Sequence, residues 1–82
     1  MMKITVKLFA AMRDAAGADS VEIDVREGAT IADVRTALIE RFPEQRALLA
    51  RVLFAIDAQY AGDTVEVPSQ SEIACIPPVS GG

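Results

Sequence analysis

Residues 3–9 alternate in polarity, with Ile4, Val6 and Leu8 on one parity and Lys3, Thr5, Lys7 and Phe9 on the other. A period of two marks a half-buried strand, and Phe9 is the apolar residue on the parity that should meet water. Val21, Ile23 and Val25 alternate with Glu22, Asp24 and Arg26 and predict a second strand. Between them the Ala-rich stretch Ala10 to Ala16 predicts a short helix stopped at Gly17. The whole connection is long enough for the two strands to pair antiparallel. After a turn at Glu27-Gly28 the period changes. Ile31, Val34, Leu38 and Phe42 recur at intervals of three and four and place one apolar stripe along a helix. Thr30 to Asp33 has capping-box spacing, with the Thr30 hydroxyl placed to satisfy a free backbone N–H. Pro43 ends the helix, because the residue before a proline is pushed out of the helical region.

Glu44 to Arg51 predicts a second short helix. Val52-Leu53-Phe54-Ala55-Ile56 is a nearly continuous apolar run, the pattern of a central strand covered on both faces. Residues 57–71 are polar and turn-rich, with a short strand expected near Tyr60. Glu72 to Ile76 forms the last strand, closed by Pro77-Pro78 because proline cannot donate to a ladder. A hairpin, a helix across it and further strands make an α+β layer with a mixed sheet and one main helix. The right-handed crossover rule sets the final strand beside the first and parallel to it. This is the β-grasp, or ubiquitin-like, arrangement, with the domain at residues 1–76 and an extended tail at 77–82.

Composition narrows the chemistry. The chain has 82 residues, half of them apolar, and a net charge of −4. It is one domain, large enough to bury roughly 60–65% of its unfolded surface. Without a basic stripe, neither nucleic acid nor an anionic membrane is an expected partner. Cys75 is the only cysteine, so no internal disulfide forms. Lys7 and Arg13 interrupt the apolar start and no small-residue cleavage site follows, which argues against a signal peptide. No stretch reaches the length of a membrane span, and a cytoplasmic location is expected. There is no histidine, so the commonest general base and the commonest transition-metal ligand are both missing. Cys75 and scattered carboxylates make no zinc site, and the isolated glycines Gly17, Gly28 and Gly62 make no phosphate loop. No resident metal or cofactor is expected, nor catalysis by this chain alone.

The tail carries more. Val79-Ser80-Gly81-Gly82 closes the sequence after Pro77-Pro78. Two terminal glycines arise by chance in about one chain in 200, so Gly-Gly alone is a modest signal. Extended, residues 77–82 reach roughly 20 Å, and the bare glycines at the tip fit a channel too narrow for any other residue. A free carboxylate is a poor electrophile. It needs activation by another protein, most simply as an acyl-adenylate, after which a sulfur donor leaves a thiocarboxylate.

Ile76-Pro77-Pro78-Val79-Ser80-Gly81-Gly82 resembles the ending of the small subunits of molybdopterin synthase, a ubiquitin-like sulfur-carrier family. Lys7-Leu8-Phe9-Ala10-Ala11-Met12-Arg13 resembles that family's opening, and the similarity in order and length spans the whole chain. The resemblance implies that Gly82 is adenylated by a ubiquitin-activating-type enzyme using Mg-ATP and then converted to a thiocarboxylate. It further implies that the tail, Val79, Ser80 and Gly81 included, enters the large subunit of molybdopterin synthase and donates sulfur to a cyclic pyranopterin precursor. Two small subunits flanking a large-subunit dimer is the implied assembly. The family usually has Gly-Asp-Glu before its last strand, where this chain has Gln70-Ser71-Glu72, so a different local turn is expected. Asp57 stands where the family often has Asn.

Phe9 and Ile76 both fall on the polar parity of their strands. If those strands are neighbours, the pair forms an apolar patch at the root of the tail, and with Tyr60, Pro77 and Pro78 it fits the family's docking surface for its partners. Cys75 has inward parity and reads as a small hydrophobe. Lys7 and Arg13 read as solvated charges, and Asp33 and Glu40 as a solubilising helix face. Three other uses of the same fold stay open: a sulfur carrier for thiamin, tRNA thiolation or cysteine synthesis, a protein modifier joined to lysines through Gly82, and an interaction module with an inert tail.

Overall fold

The computed structural model of the chain describes residues 1–78. Alternation in the first segment becomes strand β1, Met2–Leu8, whose Ile4, Val6 and Leu8 are buried while Lys3, Thr5 and Lys7 are exposed. Phe9 stands just past the strand, and its carbonyl accepts the Met12 and Arg13 N–H groups that open helix α1, Ala10–Ala16. Gly17 ends α1 in the left-handed region at φ 69°, the conformation glycine adopts without a Cβ penalty. Strand β2, Ser20–Val25, returns antiparallel to β1 with Ile4 opposite Ile23.

Helix α2, Ile31–Arg41, lies across one face of the sheet and buries Ile31, Val34 and Leu38. Its first turn is held mainly by Asp33. That carboxylate accepts the Thr30 backbone N–H at 2.9 Å, the Thr30 hydroxyl at 3.3 Å and the Arg26 guanidinium at 3.2 Å. The Thr30 N–H bond, more than Arg26, holds the Asp33 carboxyl below its ordinary value. Asp33 is therefore a capping residue rather than surface charge alone. Phe42 is half-buried at the end of the stripe. Pro43 starts a tight 3-10 turn, Pro43–Gln45, before the four-residue helix α3, Arg46–Leu49. The single helix expected over 44–51 is thus a 3-10 turn followed by a short α-helix, with Gln45 at φ −102° and ψ 17° between them, outside the helical region.

Strands β3, Leu53–Ile56, β4, Gln59–Ala61, and β5, Glu72–Ile76, complete a five-stranded sheet ordered β2-β1-β5-β3-β4. β5 runs parallel to β1 and antiparallel to β3, which is the expected β-grasp topology. One expectation fails at β3. The strand has neighbours on both sides, but the helices cover only one face of the sheet. Phe54 is buried against them, whereas Leu53, on the other parity, is 47% exposed. An apolar run alone cannot distinguish a strand between two layers from one whose outer face is an apolar surface. Among the described residues, no helix is long and apolar enough to cross a membrane.

Arg35 ties the helical layer to the strands. Its guanidinium donates to the carbonyls of Leu49 and Val52 at 2.6 and 3.0 Å, pairs with Asp63 at 3.0 Å, and lies 5.0 Å from the Phe54 ring centroid. Those carbonyls have no helical acceptor role left, so the arginine satisfies groups that burial would otherwise orphan.

Candidate functional site

The open face of the sheet is built by register. Lys7 of β1 lies opposite Ala74 of β5, Ala74 opposite Ala55 of β3, and Ala55 opposite Tyr60 of β4, so one row crosses four strands. In the next row Ile76 faces Leu53, with Phe9 beyond the end of β1. Two alanines at the centre and larger side chains around them leave a shallow groove. Its lining includes Lys7, Phe9, Ala55, Ala58, Tyr60, Glu72, Ala74, Ile76 and Pro77. Phe9 is 43% exposed and Tyr60 is 72% exposed. Contiguous apolar surface of this kind, held on rigid strands, is the usual mark of a binding face. At the polar end of the groove Lys7 and Glu72 form an ion pair of 3.1 Å, exposed enough that water screens most of its worth.

The far wall is a strained turn. Ile56 and Gln59 pair directly, so Asp57 and Ala58 make a two-residue hairpin loop, with φ of 48° and 70°. Such loops require positive φ at both positions and favour Asn-Gly. Asp57 offsets part of that strain. Its N–H donates to the Glu72 carbonyl at 2.9 Å and its Oδ1 accepts the Glu72 N–H at 3.0 Å. The turn is thereby tied to the first residue of β5. On the other side of Glu72, Gln70 adopts φ 63° and Ser71 Oγ donates to the Pro68 carbonyl at 2.7 Å. Gln70 thus takes the left-handed backbone that glycine takes freely.

Phe9, Tyr60, Ile76 and Pro77 are brought together in one groove. Pro78, half-buried, follows directly. Val79, Ser80, Gly81 and Gly82 lie outside the described residues. Sequence reasoning missed Leu53, Ala55, Ala58 and Ala74. Leu53 and Ala55 sat within a run read as buried on both sides, and small side chains attract no attention although here they make the hollow. The signal available was parity, since Ala74 shares a face with Ile76, and Ala55 with Leu53.

Cys75 points to the opposite face and is buried in the core. Burial pushes its thiol up to about 11, only partly opposed by the Arg35 charge. A thiol of that kind is almost wholly protonated near neutrality and is a poor nucleophile. Among the described residues, no three Cys, Asp or Glu side chains gather to hold a metal ion.

The chain is similar to known proteins in sequence and in fold. The molybdopterin synthase sulfur carrier subunit of Caenorhabditis elegans is 32% identical to this chain over 84 residues, covering 100% of both. The crystal structure of small archaeal modifier protein 1 from Haloferax volcanii superposes with a TM-score of 0.85 at 25% identity, covering 96% of this chain and 100% of that one. A chain in the complex of subunits 1 and 2 of molybdopterin-converting factor from Helicobacter pylori shares the fold, with a TM-score of 0.67 at 16% identity over 99% of this chain and 100% of that one. The model of the ThiS family matches residues 6–82, nearly the whole sequence. With that match spanning the ubiquitin-like sheet, the groove and the tail, the chain belongs to the ThiS family.

Proposed function

We propose that this chain is a sulfur carrier of molybdenum cofactor biosynthesis, working through residues 77–82 as a tail on the β-grasp domain of residues 1–76. The observation that carries the reading is the apolar groove of Phe9, Tyr60, Ile76 and Pro77, set where the chain leaves β5 for Pro-Pro-Val-Ser-Gly-Gly. The Caenorhabditis elegans relative, similar from end to end, bears the name of that function. The Gly82 carboxylate attacks the α-phosphorus of Mg-ATP bound by an adenylating enzyme of the ubiquitin-activating type, releasing pyrophosphate. A sulfide equivalent then displaces AMP and leaves the thiocarboxylate. The groove docks on the large subunit of molybdopterin synthase while Val79, Ser80, Gly81 and Gly82 enter it. There the sulfur passes to the cyclic pyranopterin precursor, in an assembly of two small and two large subunits. No cofactor stays bound to this chain. The buried, protonated Cys75 supports a tail-borne sulfur rather than a persulfide on the domain.

The test is intact-mass spectrometry after incubation with Mg-ATP, a sulfide source and the activating enzyme. A mass gain equal to exchanging one oxygen for sulfur, mapped to Gly82 and lost when Gly82 is deleted, is the expected result. No gain with a demonstrably active enzyme overturns the carrier mechanism. The likeness to small archaeal modifier protein 1 favours a second reading, a modifier joined through Gly82. That reading requires isopeptide adducts on other proteins, which the carrier reading does not.

A further inference from the structure

The sheet ends in two edges, β2 and β4. At β2 the Glu22 carbonyl points off the sheet, and Arg41 of α2 donates to it at 3.1 Å. That bond meets one outward group of β2, while Ser20 and Asp24, which share the parity of Glu22, have no described backbone partner on that side. At β4 the same hydrogen-bond parity singles out Tyr60. Asp57 N–H donates to the Glu72 carbonyl, so two residues back Ala55 also turns its N–H and C=O toward β5. Phe54 and Ile56 turn theirs toward β4, where they face Ala61 and Gln59. Tyr60, opposite Ala55, therefore directs both backbone groups off the sheet, and no described residue pairs with either.

That free edge opens on a second groove. Tyr60, Val65, Glu66 and Pro68 contribute to its lining, along with Asp57, and Val65 is 41% exposed. The groove has carboxylates from Asp57 and Glu66 and no basic residue in its lining. Tyr60 joins it to the docking groove, since its side chain lies on the open face and its backbone on the edge.

We propose that the β4 edge takes one extended segment of the large subunit by strand addition, a deepening that rests on the docking reading above. One residue of the segment exchanges hydrogen bonds with the Tyr60 N–H and C=O. A neighbouring apolar side chain packs on Val65 and Pro68, and a basic side chain lies beside Glu66. Main-chain pairing then supplies register and the groove supplies selectivity, as in other strand-addition sites.

The experiment uses the full chain, isotope-labelled, with the unlabelled large subunit. Exchange of the Tyr60 amide is expected to slow by about 100-fold or more in the complex. A scalar coupling from the Tyr60 nitrogen to a carbonyl carbon of a labelled large subunit distinguishes pairing from mere occlusion. Val65→Lys, at an exposed position, is expected to leave the melting temperature unchanged and to weaken binding about 10-fold. If the complex forms and the Phe9 and Ile76 resonances shift, but Tyr60 exchanges as in the free chain or Val65→Lys binds like the parent, strand addition is overturned and docking stands. If no complex forms, both readings fall.

Discussion

β3 carries Phe54 into the core and, one residue away on either side, Leu53 and Ala55 onto the open face. The two faces of the sheet use the same residue types under different constraints. Inner side chains are enclosed by α2 and held by packing on every side, and Arg35 seals the boundary where backbone carbonyls would go unpaired. Outer side chains are held only from below, by strands whose positions the core has already set. Apolar area on the inner face is therefore spent on stability, whereas on the outer face it remains available for a partner. The hollow at Ala55 and Ala74 fits that division, because larger residues there would fill the groove without strengthening the fold.

The sharpest way to break the comparison is at Phe54. Phe54→Ala removes a fully buried ring and the surface under Arg35, and is expected to cost about 3–5 kcal/mol. A domain of this length has a total stability of only about 4–12 kcal/mol, so the variant should be largely unfolded in mild urea. A loss below about 1 kcal/mol would mean that the inner face is not close-packed.

Cys75 gives the inner face a signature in pH. Burial raises its folded value from 9.0 to about 11, so the folded chain keeps a proton that the unfolded chain loses. The thiol's contribution is intact below about pH 9 and declines as pH rises toward 11, by roughly 2–3 kcal/mol in total. The measurement is urea unfolding of the parent and Cys75→Ala across pH 8 to 11. The parent should lose stability more steeply than the variant. Parallel curves would place Cys75 in contact with water.

Tyr60 tests the outer face in the opposite sense. Being 72% exposed, its replacement by alanine should change stability by no more than about 0.5 kcal/mol. Docking on the large subunit should weaken by about 2 kcal/mol, roughly 30-fold, as for an aromatic near the centre of an interface. Titration calorimetry reads the binding and thermal melting the stability. A large stability loss with unchanged binding would invert the division between the faces.

How much of this was legible in the sequence follows the same division. The period-two and period-three-to-four patterns located β1, β2 and α2, because burial on one face writes directly into alternation. Pro43 and Gly17 marked their boundaries for backbone reasons alone. The parity of Phe9 and Ile76 exposed the groove's rim. Its floor was hidden, since Ala55 and Ala74 carry no pattern of their own and Leu53 merged into a run shared by two faces. Arg35 was likewise silent, because its partners are carbonyls of Leu49 and Val52, set by the tertiary fold rather than by any spacing. Asp33, at capping-box spacing from Thr30, was legible as the reciprocal half of the cap as well as a surface charge.

The smallest effect lies on the rim itself. Ala58 holds φ 70° in the turn after Asp57, where a Cβ costs about 1–2 kcal/mol. Glycine removes that strain but adds freedom to the unfolded chain, so Ala58→Gly should stabilise by about 0.5–1 kcal/mol net. Ala58 also lines the docking groove, so the variant separates two reasons for keeping alanine there. If stability rises and binding holds within about twofold, well under 1 kcal/mol, the strain is incidental to docking. If stability rises while binding falls, the stiff turn, tied to β5 through the paired Asp57 and Glu72 hydrogen bonds, preorganises the groove wall. The outer face would then keep its shape at the expense of the stability that the inner face provides.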